Sequence, residues 1–200
     1  MSDIETQVRN FYNNNYKRFD VSRFSVWNAV KDFIDLIPQN SFVLDAGCGN
    51  GKNMIYIQNR NINVVGIDFS TKLLTVCKNK SLNVKEADIR HLPYDDNIFD
   101  YVISIAVIHH LSTQQNRIKA IDELIRVCKP HGKILISVWA LEQEKNSRFS
   151  FTLGDNYVKW EDTIRYYHIH NRDTITNLLK NYTVETFFLD KGNWFFILTP

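Results

Sequence analysis

The chain has 200 residues, 44% of them hydrophobic, and a formal net charge of +2. That size and apolar content suit one domain with a substantial core, and a charge so close to neutral does not by itself demand a nucleic-acid partner. The longest apolar runs fall far below membrane-spanning length and residues 1–9 are too polar for a signal peptide, so an intracellular protein with no membrane partner is expected.

Ser2-x-x-Glu5 has the form of a capping box, and Val8, Phe11 and Tyr12 behind it predict a short N-terminal helix acting as a lid or flank. Phe11, Tyr12 and Tyr16 read as staples of that lid rather than base-stacking platforms, and the asparagines at 13–15 read as compositional bias. Lys17, Arg18 and Arg23 form a local basic group, either a solvated face or a phosphate contact. A second helix runs from about Ser25 through Trp27, Val30, Phe33, Ile34 and Ile37 and stops before Pro38.

The run Phe42 to Leu44 predicts a first strand. It opens into Asp45-Ala-Gly47-Cys-Gly49-Asn50-Gly51 and then a helix carrying Met54, Ile55 and Ile57. A second apolar run, Val64 to Ile67, ends in Asp68. Ser70 caps a helix to about Lys80, and a short run, Leu82 to Val84, leads to Asp88. Phe99 to Ile105 reads as a buried strand, and Ser112 or Thr113 caps a long helix through Cys128 that Pro130-His131-Gly132 terminates. Lys133 to Trp139 is a fifth strand, and Glu142 to Trp160 reads as one long irregular segment. A helix near Arg172 to Leu179, a strand from Thr183 to Leu189, a turn at Lys191-Gly192-Asn193 and a strand from Trp194 to Leu198 close the chain. Residues 1–200 thus read as one α/β domain, a doubly wound, mostly parallel sheet with an antiparallel terminal hairpin.

The strand, glycine loop and helix form the entry to a nucleotide-type pocket, and three acids at successive strand ends sharpen that reading. Asp45 can hold loop amides or a ligand ammonium, Asp68 a ribose diol, and Asp88 an adenine amino group with Ile89 beside the ring. Gly51 stands one place early for the pyrophosphate pattern, with Lys52 in the third glycine's position, so S-adenosylmethionine fits better than a dinucleotide. Cys48, Cys77 and Cys128 are odd in number and lack a Cys-x-x-Cys pair, which supports neither a disulfide framework nor a metal site.

Val43-Leu-Asp-Ala-Gly-Cys-Gly-Asn-Gly-Lys52, Ala87-Asp88, Leu92-Pro93, Phe99-Asp100 and the closing hairpin resemble the class I S-adenosylmethionine-dependent methyltransferases. Ile103 to Thr113 with His109-His110, Val138-Trp139-Ala-Leu-Glu-Gln143, Arg165-Tyr-Tyr-His168, Arg23-x-x-x-Trp27 and Asn193-Trp194 are similar, more closely, to the eukaryotic tRNA wobble-uridine carboxymethyl methyltransferases, including the methyltransferase half of the animal AlkB-fused enzymes. The resemblance implies a seven-stranded sheet, methyl esterification of 5-carboxymethyluridine in the tRNA anticodon stem-loop, and a small zinc-binding activator subunit added as a strand near Asn83 to Glu86. It implies a cytoplasmic enzyme, with the nucleus as a second compartment.

Under that resemblance Asp45, Gly47, Gly49, Asn50, Gly51, Asp68, Asp88, Ile89 and Ile105 bind the cofactor, and Arg23, His109, Trp139 and Arg165 serve the acceptor. Arg23 positions the carboxylate or a phosphate, His109 hydrogen-bonds or stacks on the uridine, His110 is packed inward, and Trp139 walls the base pocket. Arg165 to His168 combine charge and aromatic faces suited to an unstacked base. No general base is expected, because a carboxylic acid is ionised at neutral pH. The chain departs from the family at Leu111, at Ile169 to Arg172 and in a short segment after Gln143. Two alternatives stand beside this one: a methyltransferase of small carboxylic acids, and a non-catalytic cofactor-binding scaffold.

Overall fold

The computed structural model describes residues 3–147, 149–160 and 163–200. Apolar residues on both faces of its strands require two covering layers. In β1 (Phe42–Ala46), Val43 turns to one layer and Leu44 to the other, and Val102 and Ile103 of β4 (Phe99–Ile105) divide in the same way. One layer contains α2 (Asn28–Asp35), α3 (Lys52–Gln58) and α4 (Thr71–Asn79), packed through Ile34, Met54 and Leu74. The other contains α5 (Gln114–Val127) and α6 (Arg172–Leu179), packed through Ile121, Leu124 and Leu178.

With β2 (Asn63–Asp68), β3 (Val84–Glu86), β5 (Cys128–Trp139), β8 (Thr183–Asp190) and β9 (Asn193–Thr199), the seven-stranded sheet has the order β3-β2-β1-β4-β5-β9-β8. β1 pairs in parallel with both β2 and β4, while β9 runs antiparallel to β5 and β8. The chain leaves β1 toward one edge and returns at β4 on the other side, which opens a crevice at the strands' carboxyl ends.

Ser70 and Thr113 cap α4 and α5, each side-chain oxygen accepting the amide three residues on. Three expectations are corrected. Pro130-His131-Gly132 does not end α5: the helix stops at Val127, and buried Cys128 is already extended and paired opposite Phe99. The segment taken as irregular from Glu142 to Trp160 ends in a strand, β6 (Gly154–Trp160), which pairs antiparallel with β7 (Thr163–Ile169) as a separate two-stranded sheet. Its period-two signal is real, since Asp155, Tyr157 and Lys159 are exposed between half-buried neighbours.

The third correction concerns the N-terminus, where α1 (Asp3–Ser22) is a 20-residue helix rather than a short one. Ser2 lies outside the described residues. Asn13 is not mere compositional bias, because its side-chain oxygen accepts from Ser70 Oγ at 2.8 Å and the Lys72 amide at 3.3 Å and so secures the start of α4. Val8, Phe11 and Tyr12 pack against Leu73 and Tyr166, which lays α1 across the carboxyl end of the sheet. Glu5 fastens its first turn: Oε1 accepts from Ser112 N at 3.0 Å, Ser112 Oγ at 2.7 Å and Asn116 Nδ2 at 3.1 Å.

Burial alone would raise the Glu5 carboxyl, but the bonds from Ser112 and Asn116 outweigh it and hold it below its ordinary 4.5. A depressed acid stabilises the docked helix above the unfolded pKa and loses that contribution as pH falls through the folded value. Glu5→Ala is therefore expected to weaken α1 docking by about 1–3 kcal/mol, measured as lost amide-exchange protection along α1 while the interior of α5 stays protected. Acidification should produce the same pattern in the unsubstituted chain.

Candidate active site

The crevice holds a cavity of about 480 Å³ bounded by the glycine loop, the ends of β2, β4 and β5, and the roof supplied by α1 and β7. Gly47, Gly49, Asn50, Asp68, Asp88, Ile89, Ile105, Arg23, His109, Trp139 and Arg165 all line it; Asp45 and Gly51 are not among its lining residues, although they stand two residues before Gly47 and directly after Asn50. Gly47 has φ +92, and a Cβ there would stand 2.3 Å from Val107 Cγ2; Gly51, at φ +79, has Leu82 Cδ1 in the corresponding place at 2.2 Å. Any side chain at either position therefore meets both backbone strain and a clash.

The loop is anchored differently from the sequence-based reading. The amides of Gly47 and Cys48 donate to the Ile67 carbonyl, and Gly49 N donates to Asp68 Oδ2 at 2.9 Å. Asp68 also accepts the Ser70 amide at 2.8 Å, so this acid, not Asp45, holds the loop amides, and each oxygen keeps a lone pair for a ligand. Burial pushes its carboxyl up to about 6 against the lowering effect of those amides. Asp88 is paired with Arg90, whose bonds outweigh burial and hold it below the usual carboxylate range. The Asn50 side chain donates to Asp20 and to the Arg23 carbonyl at 3.1 Å, tethering the chain between α1 and α2.

Asp45 is fully buried and neither oxygen has a hydrogen-bond partner. Burial, reinforced by the negative charge of Asp68 and opposed by Lys52, pushes its carboxyl up to about 7. A buried carboxylate without donors calls for a cation to complete it. An ammonium-bearing nucleoside meets that need while its ribose reaches Asp68, so these residues fit S-adenosylmethionine.

At the acceptor end His109 is fully buried. Its Nδ1 accepts the Trp139 amide at 3.1 Å, which places the proton on Nε2, a donor with no partner. Burial, together with the positive field of its neighbours, lowers its pKa well below 6.5. His110 is packed inward between Tyr12 and Tyr166. Its Nδ1 donates to the Tyr166 carbonyl at 2.8 Å and its Nε2 accepts the Tyr12 hydroxyl at 2.9 Å. The same hydroxyl accepts from Arg165 at 2.9 Å.

Arg165 is only 6% exposed, makes no ion pair among the described residues and leaves Nε unpartnered. Its guanidinium carbon lies 4.7 Å from the ring centres of Phe11 and Tyr167, 5.0 Å from Trp160 and 5.3 Å from Tyr12. Trp139 stacks on Tyr167 at 4.2 Å, and the Phe149 ring lies 5.1 Å from it in a tilted contact. Arg23 lies farther out, 5.7 Å from the Trp160 ring. Tyr12 is the site residue that the sequence-based reading missed; it resembles an ordinary member of the α1 apolar stripe, and only its contact with Arg165 sets it apart. Ala106, at φ 60, carries left-handed strain of roughly 1 kcal/mol where β4 turns into this pocket.

Fold and site together define a class of nucleoside-cofactor transferases, and comparison with known proteins makes the assignment specific. A family model described as a methyltransferase domain matches residues 44–136. The chain is 47% identical over 129 residues to the tRNA (carboxymethyluridine(34)-5-O)-methyltransferase of Arabidopsis thaliana, covering 64% of this chain but only 31% of that protein. It is 38% identical to the enzyme of the same name from Schizosaccharomyces pombe, covering 76% of this chain and 67% of the relative. A chain from the complex between the Haloferax volcanii Trm112 methyltransferase activator and a methyltransferase superposes with a TM-score of 0.73 at 16% identity, over 96% of each chain. The chain belongs to the class I S-adenosylmethionine-dependent methyltransferases, in the family that holds the tRNA (carboxymethyluridine(34)-5-O)-methyltransferases.

The raised Asp45 carboxyl yields a test with opposite signs for stability and binding. An acid whose folded pKa is raised binds protons more tightly when folded, so its contribution to stability falls as pH rises from about 4 through 7. Asp45→Asn should stabilise the ligand-free chain by about 1–2 kcal/mol at pH 8 and by little at pH 5, measured by urea unfolding. The same substitution should weaken S-adenosylmethionine binding at least tenfold at pH 8 in calorimetry and reduce the tightening expected of the unsubstituted chain between pH 5.5 and 8, the remainder following Asp68.

Proposed function

We propose that the chain transfers the methyl group of S-adenosylmethionine to the carboxylate of 5-carboxymethyluridine at the tRNA wobble position, forming the methyl ester. The observation that carries this reading is Arg165, a buried guanidinium held by aromatic rings and without a carboxylate partner among the described residues. The acceptor's own carboxylate completes it. The names of the relatives, which specify this nucleoside, support the same choice.

S-adenosylmethionine supplies, when bound, a methyl carbon made electrophilic by a positively charged sulfur. Transfer to a carboxylate oxygen would form the ester carbon–oxygen bond as the carbon–sulfur bond breaks, with its electron pair left on sulfur. No proton moves, so no base is needed. His109 agrees with that role: its Nδ1 lone pair is occupied by the Trp139 amide, and Nε2–H is left to orient an acceptor oxygen. Two opposite charges vanish as the ester forms, and the rings of Trp139, Tyr167 and Phe149 exclude the water that would stabilise them beforehand. Positioning supplies most of the acceleration.

Incubating the chain with labelled S-adenosylmethionine and tRNA lacking the ester, with and without a small zinc-binding activator, should place label in an alkali-sensitive ester of 5-carboxymethyluridine. Cofactor binding with no label in tRNA under either condition would overturn the proposal. Label in small carboxylic acids instead would identify a metabolite methyltransferase.

The free edge of β3 supports the reading that an activator strand docks there. β3 is a three-residue edge strand with exposed Lys85 and Glu86, and among the described residues it pairs only with β2. The Asn83 carbonyl and Ala87 amide face β2, so alternation turns the amides of Val84 and Glu86 toward the free edge. A partner strand added there satisfies them. Glu86→Pro, which removes one outward donor and spares the β2 pairing, is expected to lower activator affinity more than tenfold by pull-down or calorimetry, with cofactor binding unchanged.

A further inference from the structure

We propose that Phe24 is a stacking platform for the nucleobase adjacent to the reacting uridine. The inference rests on the tRNA reading above. Phe24 lies in the linker between α1 and α2, lines the mouth of the cavity and is 83% exposed, although it is one of the largest apolar side chains at the rim. An exposed ring on a loose loop would be unremarkable, but this backbone is held on both sides. The Arg23 carbonyl accepts from Asn50 at 3.1 Å, and the Ser25 carbonyl accepts from Lys52 Nζ at 2.9 Å. The ring is thus presented to solvent from a fixed backbone, with neither tether using its face.

The cavity explains why a base would seek it. The acceptor end of this cavity, walled by Trp139 and Tyr167 beyond the cofactor residues, suits one unstacked base, and that base enters only by leaving its stack. The next base in the strand then has an uncovered face at the cavity mouth, where Phe24 stands. Arg23 beside it and exposed Lys191 on the β8–β9 turn also line the mouth, so positive groups on two sides meet the backbone phosphates of the same strand. Asn50 and Lys52 belong to the glycine loop and its helix, so the rim is braced by the element that borders the cofactor.

Phe24→Ala, Phe24→Tyr and Phe24→Trp would be compared on an anticodon stem-loop containing 5-carboxymethyluridine, with 2-aminopurine placed on either flank in turn. The expected result is a loss of about 5- to 100-fold in kcat/KM for the alanine variant, near-full rescue by tyrosine or tryptophan, and an unchanged dissociation constant for S-adenosylmethionine. Binding to the unsubstituted chain should quench one of the two probes, and Phe24→Ala should restore its fluorescence. Equal kcat/KM and equal quenching in the alanine variant would overturn the inference, as would a shift in sedimentation coefficient identifying the ring as a contact between two copies of the chain. If the unsubstituted chain itself neither binds nor methylates the stem-loop, it is the tRNA reading that fails.

Discussion

The acceptor end of the molecule depends on a single directed chain of hydrogen bonds. Arg165 donates to the Tyr12 oxygen, Tyr12 donates to His110, and His110 donates to the backbone carbonyl of Tyr166. Each group has one assignment, because the last acceptor is a carbonyl and the first donor a guanidinium that cannot accept. The chain joins α1, the turn after β4 and β7, three elements far apart in sequence, and His110 within it is neutral because burial, aided by the charge of Arg165 and against its bond to Tyr166, pushes its pKa down to about 3. Loss of any member would leave a buried polar group unsatisfied, and so the roof, the floor and the acceptor cation form one unit.

The cofactor end shows the opposite economy. Asp45 carries two unpartnered buried oxygens, and Ala106 holds a left-handed backbone where a glycine would be relaxed. Both lie at the ends of the central strands β1 and β4, where the parallel pairing on either side constrains the backbone. A site arranged in this way is less stable empty than full, and a ligand of the right charge repairs the deficit on binding. Asp68 differs: by holding the Gly49 amide it shapes the loop before any ligand arrives.

Between the two ends, the glycine loop is coupled to the rim. Asn50 and Lys52 both bond to backbone carbonyls of the linker that follows α1, and Asp20 accepts from Lys80 at 2.7 Å as well as from Asn50. Anything that reshapes the loop therefore reaches the mouth of the pocket through direct hydrogen bonds. The linker is short, and α1 is fastened at its other end by Glu5, so the roof moves as one body or not at all.

Most of the fold was legible because it rests on local signals: apolar runs of strand length, glycines beyond the first, and Ser70 and Thr113 at helix starts. The Asp45, Asp68 and Asp88 series was legible for the same reason, since parallel strands bring their carboxyl ends together whatever surrounds them. The β6–β7 hairpin escaped because half of each strand's pattern is polar, and its buried side faces α1 and the pocket rather than the main sheet. The end of α5 escaped because Pro130 and Gly132 look like terminators, whereas pairing of Cys128 opposite Phe99 had already drawn the chain into the sheet. What the sequence determined alone was the strand order's likeness to a nucleoside-binding sheet and the residues at its mouth. Only the tertiary structure decided that Tyr12 belongs to the site, that His109 has a single free donor, and that Arg165 is buried with no acid beside it among the described residues. Those properties depend on contacts across 30 to 153 residues of chain, which no local pattern encodes.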